Sequence, residues 1–203
     1  MKERFRTTGA RSHMKEPSMR EIPGGRAYRL LEAGPIVLVT TAAGGRANVM
    51  TMGFHMMIQH DPPLVGCVIG PWDHSFAALR ETGECVISIP GADLASKVVD
   101  IGNCSGADTD KFERFHLTTL PSRAVRPPSI AECIANIECT IADDAMVDRY
   151  SLFILDVKTI TINDSRRERR TLHHNGDGTF SIDGRTVDLR NRMIQWKQFQ
   201  VDV

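Results

Sequence analysis

The sequence predicts a mainly β fold with peripheral helices (α+β), built as a closed or split antiparallel barrel. Short apolar runs rich in Val and Ile outnumber the helical patterns. The glycine pair Gly44-Gly45 separates two such runs, as in a hairpin. The helical patterns fall in connections and do not follow every strand, which favours an antiparallel barrel over an alternating α/β sheet.

Length and charge limit the classes of function. The chain has 203 residues with 25 basic and 25 acidic side chains, so its net charge is zero and we expect no nucleic-acid or membrane partner. No apolar run approaches the roughly 18 residues of a spanning helix, and no charged-then-apolar leader is visible. The five cysteines are scattered without a CxxC pair, which favours a reducing cytoplasm over a disulfide framework or structural zinc.

The chain divides into a short N-terminal segment and one domain. Residues 1–25 alternate basic with small polar residues, and Ser12-His13-Met14 is typical of a cloning scar. We interpret this segment as a tag or flexible arm, with an ordered arm around a partner subunit as the alternative. Residues 26–203 carry the regular patterns and are predicted to form a single domain.

The elements follow from periodicity and from glycine, proline and capping signals. The segment from Ala135 to Ile141 is expected to be a strand with one solvated face. The segment from Tyr150 to Ile162 is expected to be one longer strand. The remaining predicted elements are strands at 35–41, 46–55, 64–69 and 85–89, helices at 75–82, 94–102 and around 111–115, and a hairpin near 175–178.

The strand after the glycine pair offers a face for a ligand. Side chains alternate along a strand, so Asn48, Met50, Met52 and Phe54 share one face, while Val49 and Thr51 point the other way. An amide, two thioethers and a ring in a row suit a flat, partly polar ligand.

Three further segments indicate an anion site. His74 and Ser75 open a helix, where free backbone N–H groups favour an anion. Cys104-Ser105-Gly106 forms a loop of small residues, and Lys111 adds a positive charge. Each has a plainer interpretation, as a cap, a turn and a surface charge; together with the strand face they predict a site for a ring with a phosphate tail. Gly102 to Gly106 matches the spacing of a nucleophile elbow, but a helix precedes it where that motif requires a strand.

The same segments resemble a known family. Pro35-Ile36-Val37, Ala47 to Thr51, Asp61 to Val65, Cys85 to Pro90, and Cys104-Ser105-Gly106 with Asp110-Lys111-Phe112 occur in family order between about residues 26 and 162. The chain thereby resembles the flavin reductase-like proteins of the FMN-binding split-barrel fold, especially the flavoredoxin branch.

The resemblance implies roles for matching residues. Asn48 and the backbone of Val49 to Thr51 would meet the polar edge of the flavin ring, and Ser75 with Lys111 would hold the phosphate. Phe54 replaces a frequent tryptophan of the family, and Tyr150 replaces a frequent histidine. The predicted cofactor-binding residues are Asn48, Val49, Met50, Thr51, Met52, Phe54, His74, Ser75, Cys104, Ser105, Gly106, Lys111 and Tyr150; no catalytic or metal-binding residue is predicted.

The resemblance further implies an NAD(P)H-dependent flavin reductase, in which NADH or NADPH delivers hydride to flavin N5 of bound FMN. It implies a homodimer with FMN near the subunit boundary, and a monooxygenase or another electron acceptor as a partner. Two alternatives stay open: an FMN-bearing electron carrier reduced by a partner protein, and a split-barrel module that binds a ligand without redox turnover.

Overall fold

The structure, a computed structural model, describes residues 18–27, 34–176 and 178–192. Its strands outnumber its helices, as predicted. The strands are β1 Met19–Ile22, β2 Val37–Ala43, β3 Arg46–Met52, β4 His55–Gln59, β5 Leu64–Val68, β6 Glu84–Ile89, β7 Thr119–Leu120, β8 Ser129–Ile130, β9 Ala135–Asp143, β10 Leu152–Asn163, β11 Leu172–His174 and β12 Phe180–Ile182. The α-helices are α1 Ser75–Thr82, α2 Ala95–Gly102, α3 Lys111–Arg114 and α4 Val147–Tyr150, and 3-10 turns occur at Gly24–Arg26, Ala92–Leu94 and Arg190–Arg192.

One antiparallel sheet organises the described residues. Its hydrogen-bonded order is β3-β2-β6-β9-β10-β5-β4, so β3 and β4, which are consecutive in the chain, form its two ends. The long strand β10 pairs with β9 along one edge and with β5 and then β1 along the other. The sheet therefore curls around a core and remains split between β3 and β4, which confirms the predicted fold class.

Two apolar clusters lie on the two sides of this sheet. The barrel interior is filled from β2, β5, β6, β9 and β10, with the fully buried Phe153 among its largest side chains. The second cluster packs the outer side of the β2–β3 hairpin against α2, through Leu38, Val49, Val98 and Ile101. The peripheral helix α2 is thereby fixed beside β3.

The β2–β3 hairpin forms as predicted. Val37 pairs with Met52 and Ala43 with Arg46, and the register is continuous between these pairs. Gly44 and Gly45 have φ values of 57° and 77°, which L side chains rarely adopt and which suit a tight hairpin turn.

The prediction of a solvated face on β9 is wrong. Asn136 and Glu138 are buried because the segment from Pro121 to Ile130 covers them. The Glu138 carboxylate accepts hydrogen bonds from the backbone N–H groups of Arg123 and Ala124. The polar face of this strand is therefore an internal hydrogen-bonded layer.

Two predicted boundaries also need correction. Met19–Ile22 pairs with β10, so the sheet begins before residue 26; residues 1–17, and with them the proposed tag, lie outside the described residues. The predicted strand from Tyr150 begins at Leu152, because Tyr150 ends α4 and Ser151 turns the chain with φ 56°.

The C-terminal hairpin exists as β11 and β12, although Asp177 of its turn lies outside the described residues. In the described parts of the chain, no helix combines the length and apolarity needed to cross a membrane.

Candidate functional site

Two adjoining cavities lie where the β2–β3 hairpin meets α2. One has a volume of about 590 Å³ and a mainly apolar lining. The other, of about 270 Å³, is mainly polar. Residues common to both linings are Met50, Thr51, Trp72, Asp73 and Gly102. The two cavities can therefore accept one elongated ligand with an apolar part and a polar part.

The polar cavity contains a buried cation. Lys111 is 5% exposed, and its Nζ donates to the carbonyl oxygen of Ile101 at 2.9 Å. Burial lowers the pKa of Lys111, and the nearby Cys104 opposes this shift. No carboxylate in the described parts of the chain forms a salt bridge with Lys111. A buried ammonium group is costly without a counter-ion, so the cavity favours an anion.

The local sequence explains how Lys111 reaches this position. Asp110 caps the short helix α3, because its carboxylate accepts from the backbone N–H of Glu113 at 3.1 Å. The cap fixes the start of the helix at Lys111, and the side chain then extends to the last turn of α2 at Ile101.

Asn48 lies against the same polar cavity. It is 8% exposed, and its Nδ2 donates to the Ser75 hydroxyl at 2.8 Å, while its Oδ1 is buried and has no hydrogen-bond partner in the described part of the chain. Exchanging the two amide atoms would leave the nitrogen unpaired instead, so one polar atom lacks a partner in either orientation. An unpaired buried polar atom beside a cavity indicates a ligand that completes its hydrogen bonding.

Gly106 allows the loop after α2 to approach Asn48. A Cβ atom added at this glycine would come well under 3.0 Å from Asn48 Oδ1 and to 2.6 Å from His74 Cδ2. Gly106 is buried, unlike Ser105 and Ala107 on either side. The small-residue loop therefore forms one wall of the cavity through close backbone approach.

The apolar cavity is built from four parts of the fold. β3 contributes Met52, β5 contributes Val68, α2 contributes Val98 and Val99, and the C-terminal hairpin contributes His174 and Phe180. The two aromatic residues at its mouth, Phe54 and Trp72, are 74% and 77% exposed. Exposed rings beside an apolar cavity are suited to contact with a flat ligand.

His55 fixes the segment that carries Phe54. Its Nε2 lies 2.6 Å from the carbonyl oxygen of Pro35, and its Nδ1 is buried with no hydrogen-bond partner within residues 18–27, 34–176 and 178–192. Burial lowers the pKa of His55, and the hydrogen bond to Pro35 partly opposes this shift. The neutral ring thus joins the start of β4 to the segment that enters β2.

A model of the flavin reductase like domain matches residues 29–181. The chain belongs to this family. An uncharacterized protein of Archaeoglobus fulgidus is 32% identical over 123 residues, which are 61% of this chain and 70% of that protein.

Solved structures similar to this flavin reductase-like chain share its fold. An FMN-binding domain of a flavin reductases-like enzyme from Shewanella baltica OS155 superposes with a TM-score of 0.79 at 22% identity, covering 86% of this chain and 98% of that one. The flavoredoxin of Desulfovibrio vulgaris (Miyazaki F) superposes with a TM-score of 0.70 at 19% identity, covering 91% and 96% of the two chains. The resemblance seen in the sequence and the split-barrel fold are both confirmed.

In this flavin reductase-like chain, most of the predicted site residues meet at the two cavities. They come from segments far apart in the sequence, on the hairpin, before α1, after α2 and on α3. Those that line a cavity are Asn48, Met50, Thr51, Met52, Phe54, His74, Cys104, Ser105, Gly106 and Lys111.

Three predicted residues are placed differently from expectation, while Val49 takes its expected face and lines neither cavity. Phe54 lies beyond the end of β3, so it does not share the face of that strand, although it lines the apolar cavity. Val49 is fully buried on the opposite face, in the cluster that contains Val98. Ser75 is buried behind Asn48 and reaches the cavity only through their hydrogen bond. Tyr150, 54% exposed, ends α4 and lines a separate cavity of about 480 Å³.

Sequence reasoning missed several lining residues of the flavin reductase-like site. Trp72 is the most informative of them, because it lines both site cavities and also the cavity that holds Tyr150. Its ring covers the backbone of Gly70, where a Cβ atom would collide with it. A tryptophan in a Gly-Pro loop directly before a helix was a usable signal. His174 and Phe180, whose rings lie 5.0 Å apart, come from the C-terminal hairpin and carry no comparable signal.

Proposed function

We propose that the chain binds FMN across the two adjoining cavities and acts as an NAD(P)H-dependent flavin reductase. The observation that carries the proposal is that an apolar cavity adjoins a polar one, and that the polar cavity holds a buried lysine with which no carboxylate among the described residues forms a salt bridge. Membership of the flavin reductase like domain family supports the same cofactor class.

The residues present fit FMN. Its phosphate is the anion that Lys111 favours, and the unpaired Oδ1 of Asn48 can accept from a hydroxyl or ring N–H of the cofactor. The apolar cavity, lined by Met50, Met52 and Val98, suits the flavin ring. A glycine at position 106 leaves room that a larger residue would fill.

The redox chemistry, a hydride transfer from NADH or NADPH to flavin N5, would come from the bound cofactor. The chain contributes orientation and exclusion of water. Thr51 donates to the carbonyl oxygen of Val98 at 2.5 Å, which joins β3 to α2 at the boundary of the two cavities. Phe54 and Trp72 provide exposed rings beside the apolar cavity. Contacts of this kind would hold the nicotinamide and flavin rings together, which lowers the entropic part of the barrier to hydride transfer. No protein acid or base is assigned.

The proposal includes a homodimer in the cytoplasm. Met56 and Ile58 are exposed on β4, an end strand of the sheet, and they follow the exposed Phe54. Exposed apolar side chains on an end strand favour coverage by a second copy of the chain.

The cytoplasmic location is supported by the five free cysteines, which suit a reducing compartment. The dimer is tested separately. Light scattering of the purified protein should give twice the chain mass, and a monomer with bound FMN would contradict the dimer. The partner that takes the electrons, a monooxygenase or another acceptor, is left open.

An anaerobic spectrum tests the redox function. The protein is loaded with FMN, its visible spectrum is recorded under argon, and NADH or NADPH is added. We expect the flavin band to bleach at a rate well above that of free FMN at equal concentration. A flavin band that persists would contradict the reductase and support the electron carrier, and a protein that takes up no flavin would contradict both.

Replacing Lys111 tests the phosphate site. Lys111→Ala should weaken FMN binding by roughly 10- to 150-fold, since a charge-assisted contact contributes about 1.5–3 kcal/mol. Riboflavin lacks the phosphate, so its affinity should stay nearly unchanged. Lys158→Ala, which removes an exposed lysine paired with Asp156, is the matched control. Equal losses for FMN and riboflavin would show that the phosphate is bound elsewhere.

A further inference from the structure

The five cysteines differ sharply in their access to solvent. Cys67, Cys85, Cys133 and Cys139 are fully buried, whereas Cys104 is partly exposed. Burial raises the pKa of Cys67, and a hydrogen bond to Cys85 together with burial raises that of Cys139. Buried thiols of this kind are inert towards dissolved reagents. Cys104 is therefore the thiol that a reagent in solution can reach.

Cys104 lines the polar cavity. Its Sγ makes weak contacts with the carbonyl oxygens of Asp100 and Ile101, at 3.6 and 3.8 Å. Lys111 Nζ binds the same Ile101 oxygen at 2.9 Å, so the thiol and the buried ammonium lie at one carbonyl. A second, independent feature marks this space as a ligand site: the buried Oδ1 of Asn48, on the same cavity, has no hydrogen-bond partner among the residues that the structure describes.

We propose that Cys104 is a modification site that takes small anionic disulfides, with oxidised glutathione as the probe, and that this modification and FMN exclude each other. The inference rests on the proposed function, because it assigns the FMN phosphate to the same cavity. A peptide attached to the cavity wall and a phosphate beside Lys111 compete for about 270 Å³.

The chemical step is a thiol–disulfide exchange. The Cys104 thiol loses its proton to solvent, and the sulfur attacks one sulfur of the reagent. A new S–S bond forms to Cys104 as the S–S bond of the reagent breaks, and the leaving thiolate takes up a proton. The disulfide is the oxidant, so no other redox partner is required. Lys111, buried on the same cavity, attracts the anionic reagent. The reagent therefore modifies Cys104 in preference to the other four cysteines because it can reach only this thiol.

The test uses the full-length protein, first freed of flavin. It is incubated with oxidised glutathione in the absence and presence of saturating FMN, and the modified cysteine is identified by peptide mass mapping. We expect one glutathionyl group, on Cys104, and strong protection by FMN. FMN affinity is then titrated before modification, after it, and after dithiothreitol treatment. Modification should weaken FMN binding at least about tenfold, the size of a lost charge-assisted contact, and reduction should restore it.

Cys104→Ala is the control variant. Its FMN affinity is measured with and without glutathione treatment, and the ratio of the two values should be one. Modification of a different cysteine, or none in the folded protein, would overturn the inference. So would modified Cys104 with unchanged FMN affinity, which leaves the proposed function intact. Failure of the untreated protein to bind FMN would instead overturn the proposed function.

Discussion

Gly106→Ala offers a sharp test of the cavity geometry. The added Cβ would lie well under 3.0 Å from Asn48 Oδ1 and at 2.6 Å from His74 Cδ2. Asn48 cannot easily move away, because it is buried and its Nδ2 is held by Ser75. Overpacking of this kind costs about 1–3 kcal/mol. At roughly 2–4 °C per kcal/mol for a chain of this size, thermal unfolding should shift down by roughly 2–12 °C.

The same substitution should weaken FMN binding. If the loop or Asn48 moves, the hydrogen bond offered to the cofactor is lost, at about 0.5–1.5 kcal/mol or roughly 2- to 13-fold in affinity. A titration that follows flavin fluorescence measures this loss. Gly91→Ala is the matched control, because its Cβ would also be crowded, at 2.7 Å from Asp93 Oδ1, but away from both cavities. It should affect stability alone. Unchanged FMN affinity in a destabilised Gly106→Ala protein would refute the assignment of this wall to the site.

Three further predictions test other parts of the structure. Burial holds the pKa of His55 in the folded protein below the ordinary value of 6.5, so the stability that its neutral ring contributes is complete above pH 6.5 and is lost as the pH falls. In urea unfolding, the wild-type protein should therefore lose more stability than His55→Gln between about pH 7.5 and 5.5. Equal losses in the two proteins would contradict this. Tyr150→Phe should leave FMN affinity unchanged in titration, because Tyr150 lies outside both site cavities, and a large loss would restore its predicted role. Glu138→Gln should lower the free energy of unfolding by about 1–3 kcal/mol, because the amide is uncharged and places an NH2 donor where Oε1 now accepts from the backbone N–H of Arg123. Unchanged stability would contradict this.

The fold was predictable because its strongest signals are local. The glycine pair at 44 and 45 needs positive φ, and the runs on either side have the period of strands. The convergence of the hairpin with the loop carrying Lys111 was predictable only as what the resemblance to the flavin reductase-like family implies. No periodicity in the chain brings residues 48 and 111 together; the packing of α2 on β3 does.

Burial of polar faces could not be predicted in the same way. The alternation along β9 correctly separates two faces, but it does not tell which of them another segment covers. The cover over Asn136 and Glu138 comes from residues 121–130, a stretch of loop and short strand without its own periodicity. Trp72 is a different case, because its contact with Gly70 lies within one short loop, and the Gly-Pro-Trp sequence before α1 was a usable local signal.

Ser75 shows most clearly where reasoning from residue type ends. A hydroxyl at a helix N-terminus was expected to bind the phosphate directly, and such a group does suit an anion. The fold instead buries Ser75 and uses its oxygen to accept from Asn48 Nδ2 at 2.8 Å. That bond orients the amide so that its other polar atom stays unpaired beside the cavity. A buried polar group must first satisfy its neighbours, so the residue type at a helix start predicts a polar site nearby without deciding which side chain meets the ligand.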